Sequence, residues 1–271
     1  MKKIPKKAHF YWGGERLSFL RWMTLKSFRI FNPDWEIILH RPTIPFHLHK
    51  TWTSPQQGEA FIGNNYEDLL PQIGYELRYF NFSNTFLNKA TDVHRSDWYR
   101  FTILGKEGGL WSDMDILYLK PMKGLIINSN IDTGVFYDQH GAPLIGFLLA
   151  SHNNLFFNYL SSKSKFFFDS SDYQAIGGSM WKALYPTVEK INNDFPQLIA
   201  HQLPMETIYP IEHYEVEKLL EQNINLPANS LGFHWFAGHP KCALFNNDIN
   251  HLNYSSFNNT LCNTISSILK E

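Results

Sequence analysis

The 271-residue chain lacks several features that mark particular protein classes. Its two cysteines, Cys242 and Cys262, give neither a metal-binding spacing nor a disulfide framework. No segment reaches the roughly 18 apolar residues that a membrane-spanning helix needs. Pro5 and the lysines around it interrupt the start, which therefore lacks the apolar core of a signal peptide. These absences predict a cytoplasmic protein with at most peripheral contact with the inner face of a membrane.

The chain also lacks a surplus of positive charge, because 24 lysines and arginines stand against 25 aspartates and glutamates. Proteins that hold DNA or RNA through the phosphates normally show a basic surplus or stripe. The small cluster of Lys2, Lys3, Lys6 and Lys7 is more typical of a solvated N-terminus than of a binding surface. A nucleic-acid partner is therefore not expected.

Aromatic residues, in contrast, are abundant and make up 16% of the chain. Such rings fill protein cores, but sugar and nucleobase sites also use their flat faces. The apolar fraction of 44% is ordinary for a globular protein, and neither repeats nor low-complexity linkers occur. We therefore expect one domain over residues 1–271, with an irregular part from about residue 200 that wraps back on the core.

The start of the chain predicts the opening of a nucleotide-binding α/β unit. Residues 8–12 have the pattern of a buried strand that ends at two glycines, and residues 16–31 place apolar side chains at helical spacing. Residues 35–40 predict a second strand, and residues 42–58 a surface loop. Strand, glycine turn, helix and strand begin a Rossmann-like half, although no G-x-G-x-x-G fingerprint occurs.

The middle of the chain predicts a helix over residues 93–107 that ends at Gly108-Gly109. Residues 110–122 then have the pattern of one strand whose apolar run is interrupted by two carboxylates. The segments GVFYD and LIGFLLA predict further strands, and a helix begins at Leu155. The run Phe166-Phe167-Phe168 is best explained by a buried strand.

Asp113 and Asp115 are the most informative residues of the chain. Two acids two positions apart at a strand end can converge on one cation. Burying two charges in an apolar run costs several kcal/mol unless something neutralises them, and Mg²⁺ or Mn²⁺ would do so through oxygen ligands. A bare D-x-D pair also arises by chance, as two surface acids at a strand end beside a lysine.

A longer pattern surrounds this pair. Ser96-Asp97-x-x-Arg100 precedes Gly108-Gly109, and the D-x-D pair follows after Leu110-Trp111-Ser112. This arrangement resembles the DXD-motif sugar-transferase family, glycosyltransferase family 32-like, similar to yeast-type mannosyltransferases and the catalytic domains of large clostridial glucosylating toxins. The segment from His9 to Trp12 also resembles the family's opening I-H-x-x-W strand. The clear matches cover roughly the first 45 residues and residues 90–122.

The resemblance implies an α/β protein with the GT-A fold. Its Rossmann-like half, residues 1–120, would bind the nucleotide-sugar, and residues 121–271 would supply the acceptor side and the C-terminal wrap. Trp12 would stack on the base of the donor, with His9 beside it. Asp113 would bridge the ribose or sugar and the metal, and Asp115 would ligate the metal directly.

The resemblance also implies that Asp97 and Arg100 hydrogen-bond the donor sugar. Two opposite charges three residues apart are equally typical of an ion pair on a helix surface, worth a few tenths of a kcal/mol. Trp111 stands where many relatives have Tyr, so the identity of the sugar stays open. The implied catalytic residues are Asp97, Arg100, Asp113 and Asp115.

Residues 234–241 resemble the H-x-x-G-x-x-K element of related retaining GT-A enzymes. By that resemblance His234 completes the metal shell with Asp113 and Asp115, and Lys241 meets the diphosphate of the donor. A core-edge histidine and a solvated lysine explain the segment equally well, and His239 is a competing ligand. Gly177, Gly178 and Ser179 could line the acceptor side, or form a plain turn.

The implied function is transfer of a sugar from a nucleotide-sugar, usually a UDP-sugar, to a polysaccharide, lipid-linked or protein acceptor. The implied cofactor is Mn²⁺ or Mg²⁺, and the implied stereochemistry is retention. Two alternatives stay open: a non-catalytic sugar-binding protein of the same fold, and a nucleotide-sugar hydrolase. A D-x-D phosphatase is disfavoured, because its pair follows the first strand and precedes Gly-Thr, whereas Ile116-Leu117 follows here.

Overall fold

The computed structural model describes residues 4–46, 61–127 and 131–270. Most of the predicted loop over residues 42–58, together with Lys2 and Lys3, lies outside this range.

The regular elements alternate between strand and helix in the first half of the chain and are less regular after it. The strands are β1 (Lys7–Tyr11), β2 (Glu36–Pro42), β3 (Glu76–Phe80), β4 (Gly109–Ser112), β5 (Ile116–Tyr118), β6 (Thr133–Tyr137), β7 (Pro143–Ala150), β8 (Ala200–Gln202) and β9 (Gly232–His234). The helices are α1 (Phe19–Phe31), α2 (Asp92–Lys106), α3 (Lys123–Ile127), α4 (Leu155–Phe167), α5 (Met180–Leu184), α6 (Val188–Asp194), α7 (Glu217–Leu220), α8 (Pro240–Asp248) and α9 (Thr260–Ile268).

One mixed sheet spans both halves of the described chain, with the strand order β3-β2-β1-β4-β7-β6-β8. β1 runs parallel to β2 and β4, and β2 runs parallel to β3. β7 is antiparallel to both β4 and β6, and β8 is parallel to β6. The parallel part is the expected Rossmann-like half, and the α/β fold class is confirmed. In open α/β sheets, ligands bind beyond the carboxyl ends of the parallel strands.

The prediction of one strand over residues 110–122 was wrong. The chain leaves the main sheet after Ser112, and β5 pairs instead with β9 in a small antiparallel sheet. Asp113, Met114 and Asp115 form the connection between β4 and β5. Two carboxylates inside a central strand would be buried without partners, whereas a connection beyond the end of the strand can turn both towards a cleft.

Helix α1 begins three residues later than predicted, because Ser18 is its N-cap and its side chain accepts a hydrogen bond from the backbone N–H of Arg21 (3.3 Å). At the other end Asn32 closes the helix, as its own N–H donates to the carbonyl of Phe28. A serine N-cap satisfies one of the N–H groups that a helix start leaves unpaired. The predicted end before Asn32-Pro33 is confirmed.

Helix α2 ends where the sequence predicts, at two glycines with positive φ angles of 69° and 99°. A Cβ atom on Gly109 would lie 2.5 Å from the carbonyl oxygen of Lys7. Only glycine therefore lets β4 start directly beside β1 with this backbone conformation. The tight turn after α2 fixes the distance between that helix and the D-x-D pair that follows β4.

The aromatic excess mostly serves the core. The largest fully buried side chains include Trp111, Trp181 and Trp235. The predicted strand over Phe166-Phe167-Phe168 was wrong, because Asn154 caps a helix whose last turn contains the first two of these residues, and Phe166 is 71% exposed. Within residues 4–46, 61–127 and 131–270, every helix is too short or too polar to traverse a lipid bilayer.

A buried chain of hydrogen bonds ties α2 to the sheet. The Nε2 atom of His9 lies 3.0 Å from the carbonyl oxygen of Gly108, its Nδ1 lies 3.0 Å from Nε2 of His40, and Nδ1 of His40 lies 3.0 Å from the hydroxyl of Tyr99. A carbonyl can only accept, so His9 donates from Nε2, His40 donates to His9, and Tyr99 donates to His40. Both rings must be neutral for this order to hold.

Burial keeps both rings neutral. It lowers the pKa of His9 to about 4, against the opposing attraction of Glu107, and it lowers the pKa of His40 to about 2, with help from His9 and Arg78. Protonating either ring would break the chain that joins β1, β2, the middle of α2 and the turn after it. The orientation of α2 on the sheet therefore depends on two uncharged histidines.

We expect the free energy of unfolding to fall as the pH drops from about 6.5 towards 4. In this window the histidines of the unfolded chain gain protons and the buried ones do not. His9 alone should therefore lower the free energy of unfolding by about 3 kcal/mol by pH 4. His40→Gln removes one such group and should make the decline shallower by up to about 1.4 kcal/mol per pH unit. Urea unfolding between pH 4 and 8 measures this, with the exposed His140→Gln as control. Equal slopes for wild type and His40→Gln would contradict the neutral chain.

Candidate active site

The acid pair lies where the main sheet and the small sheet meet. The backbone N–H of Asp113 donates to the carbonyl of Gly146 on β7 (2.7 Å), which extends the β4–β7 pairing by one residue. Beyond Asp115, Ile116 pairs with His234, and the N–H of Trp235 donates to the carbonyl of Asp115 (2.9 Å). Strand pairing therefore brings His234 to Asp115 across a long sequence separation.

Asp115 is held on both sides. Its Oδ1 lies 3.1 Å from Nε2 of His234, and its Oδ2 accepts a hydrogen bond from the N–H of Ala237 (2.8 Å). The other ring nitrogen of His234, Nδ1, accepts from the N–H of Phe236 (3.0 Å), and the ring of Tyr209 stacks on the imidazole at 5.4 Å. Since Nδ1 accepts, Nε2 carries the ring proton and points it at Asp115.

Asp113 is fixed by an aromatic N–H and an arginine. The indole N–H of Trp111 donates to Oδ1 of Asp113 (2.9 Å), and NH1 of Arg100 lies 3.1 Å from the same oxygen. NH2 of Arg100 lies 2.8 Å from Oδ1 of Asp97, three residues earlier on α2. Arg100 and Asp97 are almost fully buried, so the pair is not the surface ion pair that the spacing alone allowed.

Burial and neighbouring charges set the protonation of these acids. Burial raises the pKa of Asp97 to about 7, although Arg100 pulls it down. Burial also raises the pKa of Asp113, where Arg100 lowers it and Asp115 raises it. For Asp115 burial acts in the same direction, but the hydrogen bond from His234 outweighs it, with help from Arg21, and the pKa lies below its usual range. Asp115 is thus the carboxylate best prepared to hold a cation.

Asp113, Asp115 and His234 form a group that fits a divalent cation. One ligand atom from each lies within 4.8 Å of the others, and within the described residues His239 does not join this group. A Cβ atom on Gly146 would lie 3.0 Å from Oδ2 of Asp113 and 3.0 Å from Nε2 of His234. The missing side chain of Gly146 therefore leaves open the space that the three ligand atoms face. Carboxylate and imidazole ligands together suit Mn²⁺ better than Mg²⁺.

A cleft opens from this group towards the carboxyl end of β1. Six of the residues that line it are Trp12, Arg21, Asp92, Arg100, Tyr173 and Asn246. The expected base platform, Trp12, therefore faces the same cleft as Asp113 and Asp115. One face of its ring is covered by the guanidinium of Arg21, whose Cζ lies 4.2 Å from the ring centre.

Two residues that were expected to contact the nucleotide-sugar do not line the cleft. His9 is fully buried, and both of its ring nitrogens are used by the chain that anchors α2. Lys241 lies on the surface, where its ammonium pairs with Glu217 and Glu221. The segment also has one residue more between His234 and Gly238 than the H-x-x-G-x-x-K pattern. We therefore do not propose that His9 or Lys241 contacts the nucleotide-sugar.

Other expected residues lie close to the site but have a supporting position. Trp111 is fully buried beneath Asp113 and holds it through the indole N–H. Gly177 lies directly against the carboxylate of Asp97, which a Cβ atom would strike. Gly178 and Ser179 continue that irregular turn into α5. The Gly177–Ser179 turn thus closes over Asp97, and its expected acceptor contacts stay a prediction.

Sequence reasoning missed Arg21, Asp92 and Gly146. Arg21 carried a signal, because it falls on the buried face of α1 with Thr24 and Phe28, where a charged side chain is unusual. Asp92 is the first residue of α2, where an acid is expected simply to favour the helix dipole. Gly146 carried no signal, since its role depends on how β7 pairs with β4.

Residues 21–132 match the family model described as a glycosyltransferase sugar-binding region containing a DXD motif. The matched segment includes Asp97, Arg100, Asp113 and Asp115. No curated protein sequence matches the chain significantly.

Several solved structures are similar in fold. GlyE from Streptococcus pneumoniae TIGR4 has a TM-score of 0.50 at 13% identity, over 87% of this chain and 55% of that one. PaToxG glycosyltransferase has a TM-score of 0.46 at 14% identity, over 80% and 83% of the two chains. LgtC, a galactosyltransferase solved with donor and acceptor sugar analogs, has a TM-score of 0.43 at 12% identity, over 93% and 100%. The chain spans about half the length of GlyE, and the likeness concerns the fold alone.

The family match, the acid pair at the end of the parallel strands and the sheet order agree with one another. Residues 21–132 match the DXD-containing glycosyltransferase region, and the likeness to GlyE shows that the chain has the GT-A fold.

We expect Gly146→Ala to lower the affinity for Mn²⁺ by at least about tenfold, as changes beside metal ligands commonly do. The added methyl group would crowd Asp113, His234 and the hydroxyl of Tyr209 at once. Isothermal titration calorimetry with Mn²⁺ measures the affinity. Gly124→Ala is the matched control, because its Cβ atom meets nothing within 4 Å. Unchanged Mn²⁺ affinity in Gly146→Ala would place the cation elsewhere.

Proposed function

We propose that this protein is a glycosyltransferase that transfers a sugar from a nucleotide-sugar, in the first instance a UDP-sugar, to a polysaccharide, lipid-linked or protein acceptor. The proposed cofactor is Mn²⁺, with Mg²⁺ as the alternative. One observation carries the proposal: Asp113, Asp115 and His234 converge within 4.8 Å beside a cleft that Trp12 and Arg100 also line. A base platform and a cation site on one cleft suit a ligand with a nucleoside at one end and a diphosphate beyond it.

The acid pair and His234 would hold the cation, which when bound neutralises the diphosphate as it leaves. His234 now keeps its ring proton on Nε2, because Nδ1 accepts from the N–H of Phe236. A nitrogen that ligates a cation carries no proton, so the ring would have to adopt the tautomer with its proton on Nδ1, and the N–H of Phe236 would lose its acceptor. Asp115 needs no such change, since its neighbours already favour the charged carboxylate.

Arg100 would act mainly on the geometry of the site. Its guanidinium binds Asp97, Asp113 and the carbonyl of Ile145, so it holds Asp113 in line with the cleft. Asp97 is buried beneath Gly177 and reaches the cleft through Arg100. A carboxylate that is already held in place contributes most to the stability of the transition state, because it need not reorganise while charge develops.

We expect nucleoside diphosphate to be released from one donor of a nucleotide-sugar panel, with Mn²⁺ present and not with chelator. Asp115→Asn keeps the shape of the side chain but loses its charge, and it should lower the release rate by at least about 100-fold. Asp34→Asn is the matched control, because Asp34 is an exposed acid on the surface. A coupled assay for the diphosphate measures the rate, and melting curves check folding.

Full activity of a folded Asp115→Asn protein would remove Asp115 from the cation site. Binding of a donor without turnover, even with acceptors added, would favour a non-catalytic binding protein of this fold. Turnover that is unaffected by any sugar acceptor would favour a nucleotide-sugar hydrolase. If the protein binds none of the donors, the proposed function is refuted.

We expect the product to keep the anomeric configuration of the donor, as the resemblance to retaining GT-A enzymes implies. In such a reaction the diphosphate leaves from the face that the acceptor attacks, and no covalent enzyme intermediate is required. Proton NMR of the first-formed product distinguishes the two anomers through their coupling constants. A product with the inverted configuration would overturn this part of the proposal.

A further inference from the structure

We propose that the guanidinium of Arg21, rather than the ammonium of Lys241, binds the diphosphate of the donor. This inference rests on the proposed function, because it assigns a part of the same ligand to a residue of the same cleft. The role follows from the position of Arg21, from its lack of a partner, and from the charges around it.

Arg21 lies between the base platform and the acid pair. Its Cζ atom is 4.2 Å from the ring centre of Trp12 and 5.7 Å from that of Trp235, the residue that follows His234. Among the carboxylates that attract it, Asp115 acts most strongly. A nucleoside diphosphate that reaches from Trp12 to the acid pair must therefore pass the guanidinium.

Of the two arginines that line the cleft, Arg21 is the one whose guanidinium is not paired with a carboxylate. Its guanidinium makes no hydrogen bond or ion pair with any residue in the described part of the chain, and its contacts are the faces of Trp12 and Trp235. Arg100, in contrast, is paired with Asp97 and Asp113. A guanidinium that is partly desolvated and unpaired is costly unless an anion compensates it, and its planar fork matches phosphate oxygens.

The helix that carries Arg21 favours an anion at the same place. Ser18, the N-cap of α1, lines the cleft with Arg21, and the first turn of α1 contains no acidic residue. The N-terminal end of a helix attracts negative charge through its unpaired N–H groups and its dipole. Helix end and guanidinium therefore act in the same direction on a bound phosphate.

The charges of the cleft give Arg21 a role that changes with ligation. Asp92, Asp113 and Asp115 all attract its guanidinium, which lowers the cost of holding those acids close together. A divalent cation on Asp113 and Asp115 would remove most of that attraction. The guanidinium would then face the phosphate oxygens, which carry the negative charge next to it.

The test compares Arg21→Gln with Lys241→Gln, which removes the same charge from the lysine. Calorimetry with UDP, GDP, ADP and CDP at saturating Mn²⁺ finds the diphosphate that wild type binds. Ligand-observed NMR measures the affinity for the matching nucleoside. We expect Arg21→Gln to lower the affinity for the diphosphate by roughly 10- to 100-fold, which is the usual loss for a hydrogen bond to a charged group. The affinity for the nucleoside should stay within about twofold of wild type. Lys241→Gln should bind the diphosphate within about twofold of wild type.

Three results would overturn the inference while leaving the proposed function intact. These are unchanged diphosphate binding by Arg21→Gln, equal losses for diphosphate and nucleoside, and a loss in Lys241→Gln that matches or exceeds that in Arg21→Gln. A wild-type protein that binds no diphosphate with Mn²⁺ would refute the proposed function, and this inference with it.

Arg21→Lys is the second variant, in case Arg21→Gln does not fold. It keeps the charge that balances the acids but loses the planar fork and the stacking on Trp12. We expect a loss of about fivefold or more for the diphosphate with little change for the nucleoside. Diphosphate affinity equal to that of wild type would overturn the contact between guanidinium and phosphate.

Discussion

The guanidinium of Arg100 is the interaction on which the centre of this molecule depends. It lies between Asp97 and Asp113 and binds both, while a backbone carbonyl of β7 accepts from the same group. Two carboxylates so close together in a buried setting repel each other and lose hydration, and removing the partner of a buried charge commonly costs about 3–5 kcal/mol. Arg100 thus makes the acid-rich end of the sheet possible, and it fixes the direction in which Asp113 faces the cleft.

Arg100 can hold both carboxylates only because α2 is held in one place on the sheet. Much of the local arrangement of α2 and the D-x-D pair could be predicted from the sequence. The glycine pair after α2, the S-D-x-x-R pattern and the D-x-D pair are close in sequence, so a helix, a turn and one strand determine their relative positions. The capping residues and the apolar period of α1 and α2 are local as well. What the pattern did not reveal is the anchor beneath it: His9 and His40 are core residues that hold α2 through neutral rings.

The rest of the site could not be derived from local pattern, because it depends on strand pairing between distant segments; His234 was expected from the resemblance alone. Gly146 faces Asp113 through the β4–β7 register, and His234 reaches Asp115 through the β5–β9 register. Local pattern does not determine either register. The position of Lys241 was expected from a motif alone, and one extra residue in the turn after β9, together with Glu217 and Glu221, places its ammonium at the surface. A charged residue on a buried helix face was the signal for Arg21 that the sequence did contain.

Three of the acids around the cleft rest against a glycine, at the place where a Cβ atom would be. Gly13 meets Asp92, Gly146 meets Asp113, and Gly177 meets Asp97. Each glycine lies on a different segment, before α1, on β7 and before α5, so the coincidence reflects the shape of the site rather than one turn. A backbone without a side chain lets a carboxylate be buried while the space beside it stays free for a ligand. The site is therefore shaped as much by missing side chains as by the acids, and the glycines are as much a part of it as the D-x-D pair.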